Sequence, residues 1–179
     1  MTIILLARHG QTDWNREARL QGQADRPLDA VGRRQARELA ASLGAEAIDV
    51  VYSSDLRRAR DTAAAVAARR GLPVLEVPEL REKDYGSWEG LTDAEIRERY
   101  PESGFGGWGD GETTEAVAAR VLDALGRIAV RHDGATVLVV SHGGPIAAVR
   151  RHAGADEMPV ANGDVLRLIV EDGRFRVAG

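Results

Sequence analysis

Short runs of β-branched and other apolar residues alternate along this chain with longer segments in which apolar residues recur every three or four positions. The short runs have the length and composition of buried strands, whereas the longer segments have the periodicity of amphipathic helices. Strands that alternate with helices predict βαβ units, in which a largely parallel sheet is covered by helices on both faces. The predicted strands span residues 3–7, 48–52, 74–77 and 136–140, and the predicted helices span residues 30–43, 56–70, 92–100 and 113–131.

The C-terminal end of the chain departs from this alternation. Residues 164–170 and 174–177 are two strand-like runs separated by Glu171-Asp172-Gly173, and an Asp-Gly pair is typical of a tight hairpin turn. We therefore expect an α/β fold, a three-layer α/β/α sandwich with a mostly parallel central sheet and an antiparallel C-terminal edge or hairpin. No linker or repeat interrupts residues 1–179, so a single domain is expected.

Charge, cysteine content and hydropathy exclude several classes of function. The formal net charge of −4 at pH 7 gives no broad positive field, so nucleic acid is not an expected partner. The chain has no cysteine, which excludes thiolate nucleophiles and cysteine-ligated metals. No apolar run approaches the roughly 20 residues that span a bilayer. Membrane association is therefore not expected, and a cytoplasmic location is the simplest interpretation.

Unusual polar residues follow three of the predicted strands. The first strand is followed by Arg8 and His9, the second runs into the arginine-rich segment 53–58, and the fourth ends close to His142. The carboxyl ends of parallel strands meet at one edge of a sheet, where ligands bind in folds of this kind. Arginine pairs with phosphate oxygens, and histidine serves as a nucleophile or an acid–base group near neutral pH. The sequence therefore predicts a site for a phosphoryl group.

Each of these residues also has a purely structural interpretation. An isolated histidine after a strand more often makes a structural hydrogen bond than takes part in catalysis, and a helical arginine is usually a solvated charge. For Arg8 and His9 the functional interpretation is preferred, because a charged pair that ends a buried strand must find polar partners. The structural interpretation is preferred for four other arginines, Arg33, Arg34, Arg57 and Arg60.

Neither a metal nor a cofactor is expected from the sequence. The chain lacks the close spacing of His, Asp and Glu that marks a metal site. Residues 104–109 match the G-x-G-x-x-G pattern of dinucleotide sites. Because no predicted strand precedes them, the match is interpreted as accidental.

Four motifs resemble those of the histidine phosphatase superfamily, whose members are also called phosphoglycerate mutase-like proteins. The resemblance covers nearly the whole chain, and the motifs follow one another in the family's order. Registering the second motif on its Arg-Ala and Thr-Ala pairs selects Arg58 rather than Arg57, and Gln11 stands where many members carry glutamate. The motifs are RHGQTDWN at 8–15, SSDLRRARDTA at 53–63, LREKDYGSWEG at 80–90 and SHGG at 141–144, with Gln21-Gly22 between the first two.

The resemblance implies a phosphatase that acts through a phosphohistidine intermediate on a small phosphorylated metabolite. His9 would be the nucleophile, and Glu82 would be the acid that protonates the leaving group. Arg8, Arg58 and His142 would hold the phosphoryl oxygens. Many members form dimers, so a homodimer is an open alternative to a monomer. The residues implied to bind substrate are Asn15, Gln21, Gly22, Tyr85 and Gly143, with Gln21, Tyr85 and Trp108 as candidates for the mouth of the site.

Three alternatives to a metabolite phosphatase stay open at this point. Cofactor-dependent phosphoglycerate mutases share these motifs, but they are longer, with extra basic residues after the acid segment, and they typically have asparagine where this chain has Gly144. A protein-phosphohistidine phosphatase would have less use for Glu82, because acid catalysis matters most for alkoxide leaving groups. A non-catalytic phosphate-binding domain is disfavoured because every implied catalytic position holds the expected residue type.

Overall fold

A computed structural model gives the structure of the protein and describes residues 1–102, 110–156, 158 and 160–178. The G-x-G-x-x-G match at 104–109 and the mouth candidate Trp108 lie outside the described residues. Within the described part of the chain, no helix is long and apolar enough to cross a membrane.

Among these described residues, six strands form one sheet with the order β3-β2-β4-β1-β5-β6. The first four in this order are mutually parallel, whereas β5 runs antiparallel to β1 and β6 runs antiparallel to β5. The expected α/β fold, with a mostly parallel sheet and an antiparallel C-terminal edge, is therefore confirmed. The strands are β1 (Thr2–Arg8), β2 (Val50–Ser53), β3 (Val74–Glu76), β4 (Thr136–Ser141), β5 (Val165–Glu171) and β6 (Arg174–Val177).

The C-terminal hairpin has the turn that its sequence predicts. Asp172 and Gly173, between β5 and β6, have φ angles of 49° and 73°. Two successive left-handed residues are the signature of a type I′ turn, whose twist matches that of the two strands it joins. The Asp-Gly pair thus places the antiparallel edge of the sheet.

In the ranges that the structure describes, six α-helices connect or flank the strands. Four of them are capped by a threonine or aspartate side chain that accepts a hydrogen bond from the first turn, as at Thr12 for α1 and Asp29 for α2. Short 3-10 segments were not predicted, and neither were α1 and α6. The helices are α1 (Asp13–Arg16), α2 (Ala30–Ser42), α3 (Arg57–Ala68), α4 (Asp93–Arg99), α5 (Thr114–Arg131) and α6 (Gly143–His152).

Alternate residues of the central strands face two separate cores. In β1, Ile4 and Leu6 pack in a cluster with residues of α5 and α6, whereas Leu5 and Ala7 pack with residues of α2 and α3. Successive side chains of a strand point to opposite faces, so a continuous apolar strand needs helices on both sides. The three layers of the fold follow from this pattern.

The sheet brings the polar strand ends together. Because β4 lies between β1 and β2 in the sheet, Arg8 pairs in register with Ser141, and Ser53 pairs with Val140. The residues that follow β1, β2 and β4 therefore emerge side by side at one edge. The phosphoryl site predicted from the sequence would lie at this edge.

Candidate active site

His9 lies at the centre of the edge, directly after β1, and is 2% exposed. Its Nδ1 lies 2.7 Å from the carbonyl oxygen of Gly10. A carbonyl can only accept a hydrogen bond, so the proton of the neutral imidazole resides on Nδ1 and the lone pair on Nε2 stays available. Burial, followed by the charge of Arg58, lowers the pKa of His9 well below its ordinary value. The ring is therefore neutral at pH 7 and has a nucleophilic nitrogen.

Two arginines flank His9, one buried and one half-buried. The side chain of Arg58, in the first turn of α3, is fully buried and donates from Nη2 to the Gly22 carbonyl at 2.7 Å and from Nη1 to the Ala24 carbonyl at 2.8 Å. Arg8 donates from Nη1 to the Val160 carbonyl at 2.6 Å. Desolvation lowers the pKa of Arg58 to about 10, which still leaves it charged at neutral pH. Two fixed guanidinium groups thus provide positive charge around His9.

His142 follows β4 and stands next to His9, with 5.0 Å between the ring centroids. The ring is fully buried, and its Nε2 lies 2.7 Å from the hydroxyl oxygen of Ser54, the residue that follows β2. Burial and the nearby charge of Arg58 lower the pKa of His142 well below its ordinary value, which keeps the ring neutral. If Ser54 donates to Nε2, the ring proton lies on Nδ1 and is available to an anion.

Among the described residues, three buried side-chain nitrogens have no hydrogen-bond partner, and all three belong to this cluster. They are Nε of Arg8, Nε of Arg58 and Nδ1 of His142. Buried polar groups in proteins are nearly always paired, so a local concentration of unpaired ones needs an explanation. Arginine Nε always carries a proton. Nδ1 of His142 also carries one when the Ser54 hydroxyl donates to Nε2 of the same ring. The chemistry of this cluster therefore suits an anion.

Glu82 contributes a carboxyl group to this edge. Its Oε1 accepts hydrogen bonds from the backbone N–H of Lys83 at 2.8 Å and of Gly144 at 3.1 Å, and Oε2 lies 3.2 Å from the same Gly144 nitrogen. Gly144 lies in the first turn of α6, and a Cβ atom at this position would collide with Glu82 Oε1. A glycine here lets the carboxyl group approach the positive end of the helix.

The site opens into a cleft of about 260 Å³. Tyr85 lies in its wall, where burial raises the pKa of the phenol above its ordinary value and keeps it protonated. Gly22 contributes through its carbonyl bond to Arg58 rather than as part of the wall. Four of the five residues implied as catalytic line the cleft, namely Arg8, His9, Arg58 and Glu82, whereas His142 does not. Four of the residues implied to bind substrate also line it: Asn15, Gln21, Tyr85 and Gly143. The other lining residues are Arg19, Leu20 and Gly144.

Sequence reasoning missed several residues that shape the site. Ser54 could have been found, because it directly follows β2 and therefore lies at the same edge as His9 and His142. Asn162 gave no local signal, although its amide nitrogen donates to the His9 carbonyl at 2.8 Å from a loop near the C-terminus. The sequence likewise gave no signal for Arg120, on α5, which donates a hydrogen bond to the Glu82 carbonyl.

No group of three or more His, Cys, Asp or Glu side chains that could hold a metal occurs in the part of the chain that the structure describes. The polar groups around His9 are mostly cationic or neutral donors, which suit an anion and repel a cation. The fold and this site define a class of protein, a doubly covered α/β sheet with a histidine flanked by arginines at the carboxyl ends of its strands.

Comparisons with known proteins place the chain within that class. The sequence model of the histidine phosphatase superfamily (branch 1) matches residues 4–179, so the chain belongs to this family. The metal-independent phosphoserine phosphatase of Arabidopsis thaliana is 43% identical over 160 residues, which cover 83% of this chain and 67% of the relative. The predicted family and the predicted enzyme class, a histidine-type phosphatase that hydrolyses phosphomonoesters, are confirmed.

Two solved structures share the whole fold. Bacillus stearothermophilus YhfR superposes with a TM-score of 0.89 at 33% identity, covering 99% of this chain and 96% of that one. A mycobacterial glucosyl-3-phosphoglycerate phosphatase in complex with VO3 superposes with a TM-score of 0.87 at 33% identity, covering 98% and 96%. Fold and sequence comparisons therefore point to the same family.

The protonation states of the two buried histidines can be observed directly. We expect ring-nitrogen NMR shifts of the ligand-free protein to show both His9 and His142 neutral at pH 6, with the His9 proton on Nδ1, because burial and Arg58 lower both pKa values. Spectra of His9→Ala and His142→Ala would assign the signals. A titration midpoint at or above about 6.5, the value of an unperturbed histidine, would contradict this electrostatic description.

Proposed function

We propose that this protein is a metal-independent phosphatase that hydrolyses a small phosphorylated metabolite through a phosphohistidine at His9. The observation that carries the proposal is the set of three unpaired buried nitrogens grouped around a neutral histidine. A phosphoryl group has three non-bridging oxygens that accept strong hydrogen bonds, and it is the anion that arginine recognises best.

Binding comes first. In the proposal, Arg8, Arg58 and His142 donate hydrogen bonds to the non-bridging oxygens and so balance the charge of the phosphate. Because both guanidinium groups are held by backbone carbonyls, they need little reorganisation when the anion arrives. Phosphoryl transfer depends mainly on such positioning and charge stabilisation.

In the first chemical step, Nε2 of His9 attacks phosphorus in line with the leaving oxygen. The N–P bond forms while the P–O bond to the substrate breaks, and Glu82 gives its proton to the departing alkoxide. The Gly10 carbonyl holds the Nδ1 proton and stabilises the positive charge that develops on the imidazole. The products of this step are phosphohistidine and the free alcohol.

In the second step, water attacks the phosphohistidine. Glu82, now ionised, takes a proton from the water as the O–P bond forms and the P–N bond breaks. Inorganic phosphate leaves, and His9 returns to its neutral state with Glu82 protonated. The same carboxyl group therefore serves as acid and then as base.

The substrate class follows from the cleft and from the relatives. A cleft of about 260 Å³ suits a small metabolite and leaves little space for a folded protein surface. Relatives that are named for their substrates include the phosphoserine phosphatase of Arabidopsis thaliana and a phosphoserine phosphatase of Hydrogenobacter thermophilus, 37% identical over 158 residues. We propose an alkyl phosphomonoester with a small polar leaving group as the substrate.

A panel of phosphomonoesters tests this function. The purified protein, treated with a chelator, is expected to release phosphate from at least one of phosphoserine, 3-phosphoglycerate, a sugar phosphate and p-nitrophenyl phosphate. The chelator should have no effect, because no step in the proposal uses a metal. Phosphate release would be measured beside the isomerisation of 3-phosphoglycerate in the presence of 2,3-bisphosphoglycerate.

Other outcomes lead to the alternatives. Isomerisation without release of phosphate would identify a mutase, and exclusive turnover of a phosphohistidine peptide would identify a protein phosphatase. Complete loss of activity with the chelator, restored by a divalent cation, would contradict the proposed mechanism. An absence of turnover on every substrate, combined with tight phosphate binding, would indicate a binding domain.

A further inference from the structure

The segment that carries Glu82 lies outside the sheet, so its backbone groups need partners of another kind. After β3 the chain passes through a 3-10 turn (Pro78–Leu80) and then runs irregularly to Tyr85. The Leu80 carbonyl accepts a hydrogen bond from the Ser141 hydroxyl at 2.8 Å, which ties the segment to the end of β4. The other carbonyls of this segment also need partners, because a backbone carbonyl that loses contact with water is costly when unpaired.

The side chain of Arg120, on α5, donates hydrogen bonds to three backbone carbonyls of this segment. Its Nη1 donates to the carbonyls of Glu79 and Arg81, both at 2.7 Å, and its Nη2 donates to the carbonyl of Glu82 at 2.9 Å. Its Nε and Nη2 also donate to the carboxylate of Glu112, each at 2.7 Å. A guanidinium group has five N–H donors, and these five bonds use all of them.

Glu112 holds the same segment from the other side. Its Oε2 accepts a hydrogen bond from the backbone N–H of Asp84 at 2.9 Å, and its own N–H donates to the Asp84 carbonyl at the same distance. The Arg120 guanidinium lowers the pKa of Glu112, which keeps this carboxylate charged. The Arg120–Glu112 pair, with side chains 19% and 23% exposed, therefore braces the backbone before and after Glu82.

The link from Arg120 to the acid passes through a single peptide unit. The Glu82 carbonyl that accepts from Arg120 and the Lys83 N–H that donates to the Glu82 carboxylate belong to the same planar peptide. Fixing the oxygen of this peptide therefore fixes the direction of its N–H, which in turn orients the carboxyl group. Arg120 does not line the cleft. Its direct bond in the site is to the Glu82 peptide, and its charge also contributes, after burial and the charges of Arg58, His9 and Arg8, to the lowered pKa of His142.

We propose that Arg120, held by Glu112, is a positioning residue for the acid Glu82. The inference rests on the proposed function, because it requires Glu82 to protonate the leaving group. A displacement of about 1 Å at a reacting group can reduce a rate by about 10²-fold. A substrate whose leaving group departs without a proton gains little from the acid. Loss of Arg120 should therefore harm alkyl phosphates much more than activated aryl phosphates.

The test compares kcat/KM for an alkyl phosphomonoester with kcat/KM for 2,4-dinitrophenyl phosphate. Arg120→Met should lower the first by about 10- to 100-fold while the second changes by less than about threefold. Arg127→Met is the matched control, since Arg127 lies two turns further along α5 and pairs with the side chains of Glu79 and Asp123 at the surface. This control should leave both values unchanged.

Glu82→Gln separates the inference from the proposed function. If Glu82→Gln shows the selective loss and Arg120→Met does not, the positioning role is overturned and the acid assignment stands. If Glu82→Gln itself shows no selectivity, the acid assignment fails and the inference fails with it. An equal loss on both substrates in Arg120→Met indicates a merely structural role and overturns the inference.

Two milder variants keep the test decisive if Arg120→Met does not fold. Arg120→Lys keeps the charge but cannot form the five bonds, and Glu112→Gln removes the anion that holds the guanidinium. Both should show the same selective loss on the alkyl substrate with a smaller magnitude. If kcat/KM falls by the same factor on the alkyl and the aryl substrate in both variants, the inference is overturned.

Discussion

Replacement of His9 by alanine is expected to reduce phosphate release by about 10³-fold or more, because it removes the Nε2 lone pair on which the proposed covalent intermediate forms. Asn15, Gln21 and Tyr85 line the cleft, but a neutral amide and a protonated phenol are poor nucleophiles. The variant should fold, since the His9 side chain contributes one hydrogen bond, to the carbonyl of Gly10 next to it in the chain. Steady-state phosphate release on the preferred substrate measures the effect.

The phosphoenzyme provides a second measurement of the same prediction. Rapid quenching of the unsubstituted protein at neutral or basic pH should trap a phosphoryl group on the peptide that contains His9, and His9→Ala should trap none. His152→Ala is a suitable control, because His152 is exposed at the C-terminal end of α6 and contacts Phe175. Undiminished turnover in His9→Ala, or a phosphoryl group on another peptide, would contradict the proposed mechanism.

The fold was predictable because its pattern is repetitive and local. Apolar runs of strand length alternate with helical periodicity, and the Asp172-Gly173 turn marks the antiparallel hairpin. Elements with weaker local patterns were missed. Helix α6 begins with two glycines and a proline, which have low helix propensity, so its start depends on its packing after β4.

The centre of the site was predictable to the extent that topology determines it. His9 and His142 each follow a parallel strand, so any sheet that places these strands together also brings the rings together. The choice of Arg58 over Arg57 needed the family motif, because adjacent helical residues point about 100° apart and the start of the helix decides which one faces inward. The structure buries Arg58 and exposes Arg57.

The supports of the site were not predictable from the sequence. Glu82 lies on an irregular segment and was recognised only through the resemblance. Arg120 braces that segment from 38 residues further along the chain, and Asn162 donates to His9 across 153 residues. Contacts of this kind depend on the packed arrangement of distant segments, and a local pattern of residue types does not encode them.

The two arginines show how the site differs from an ordinary core. Arg58 is fully buried, and its described hydrogen bonds go to neutral carbonyls rather than to a carboxylate. Burying a charge without a close counter-ion is costly, which is why its pKa falls. In the proposed function, the phosphoryl group supplies the missing negative charge. Ligand binding should therefore stabilise the protein, and Arg58 should account for much of that effect.

Arg58→Met is accordingly expected to lower kcat/KM by about 10²-fold or more, because one fixed donor to a transition-state oxygen contributes about that much. The free energy of unfolding gives an independent measurement. An oxyanion such as vanadate at about 100 times its Kd should stabilise the unsubstituted protein by about 2.7 kcal/mol. If Arg58→Met weakens binding by about 100-fold, the same concentration should add only about 0.4 kcal/mol.

Arg57→Met is the matched control for this experiment. It removes the same side chain from the neighbouring position, where the arginine is exposed, so it should keep both the activity and the full stabilisation by vanadate. Because the comparison uses the difference between bound and free states of each variant, a change in the stability of the free protein cancels. Full stabilisation of Arg58→Met by vanadate would show that the buried guanidinium does not bind the anion, and the assignment of the phosphoryl site would fall with it.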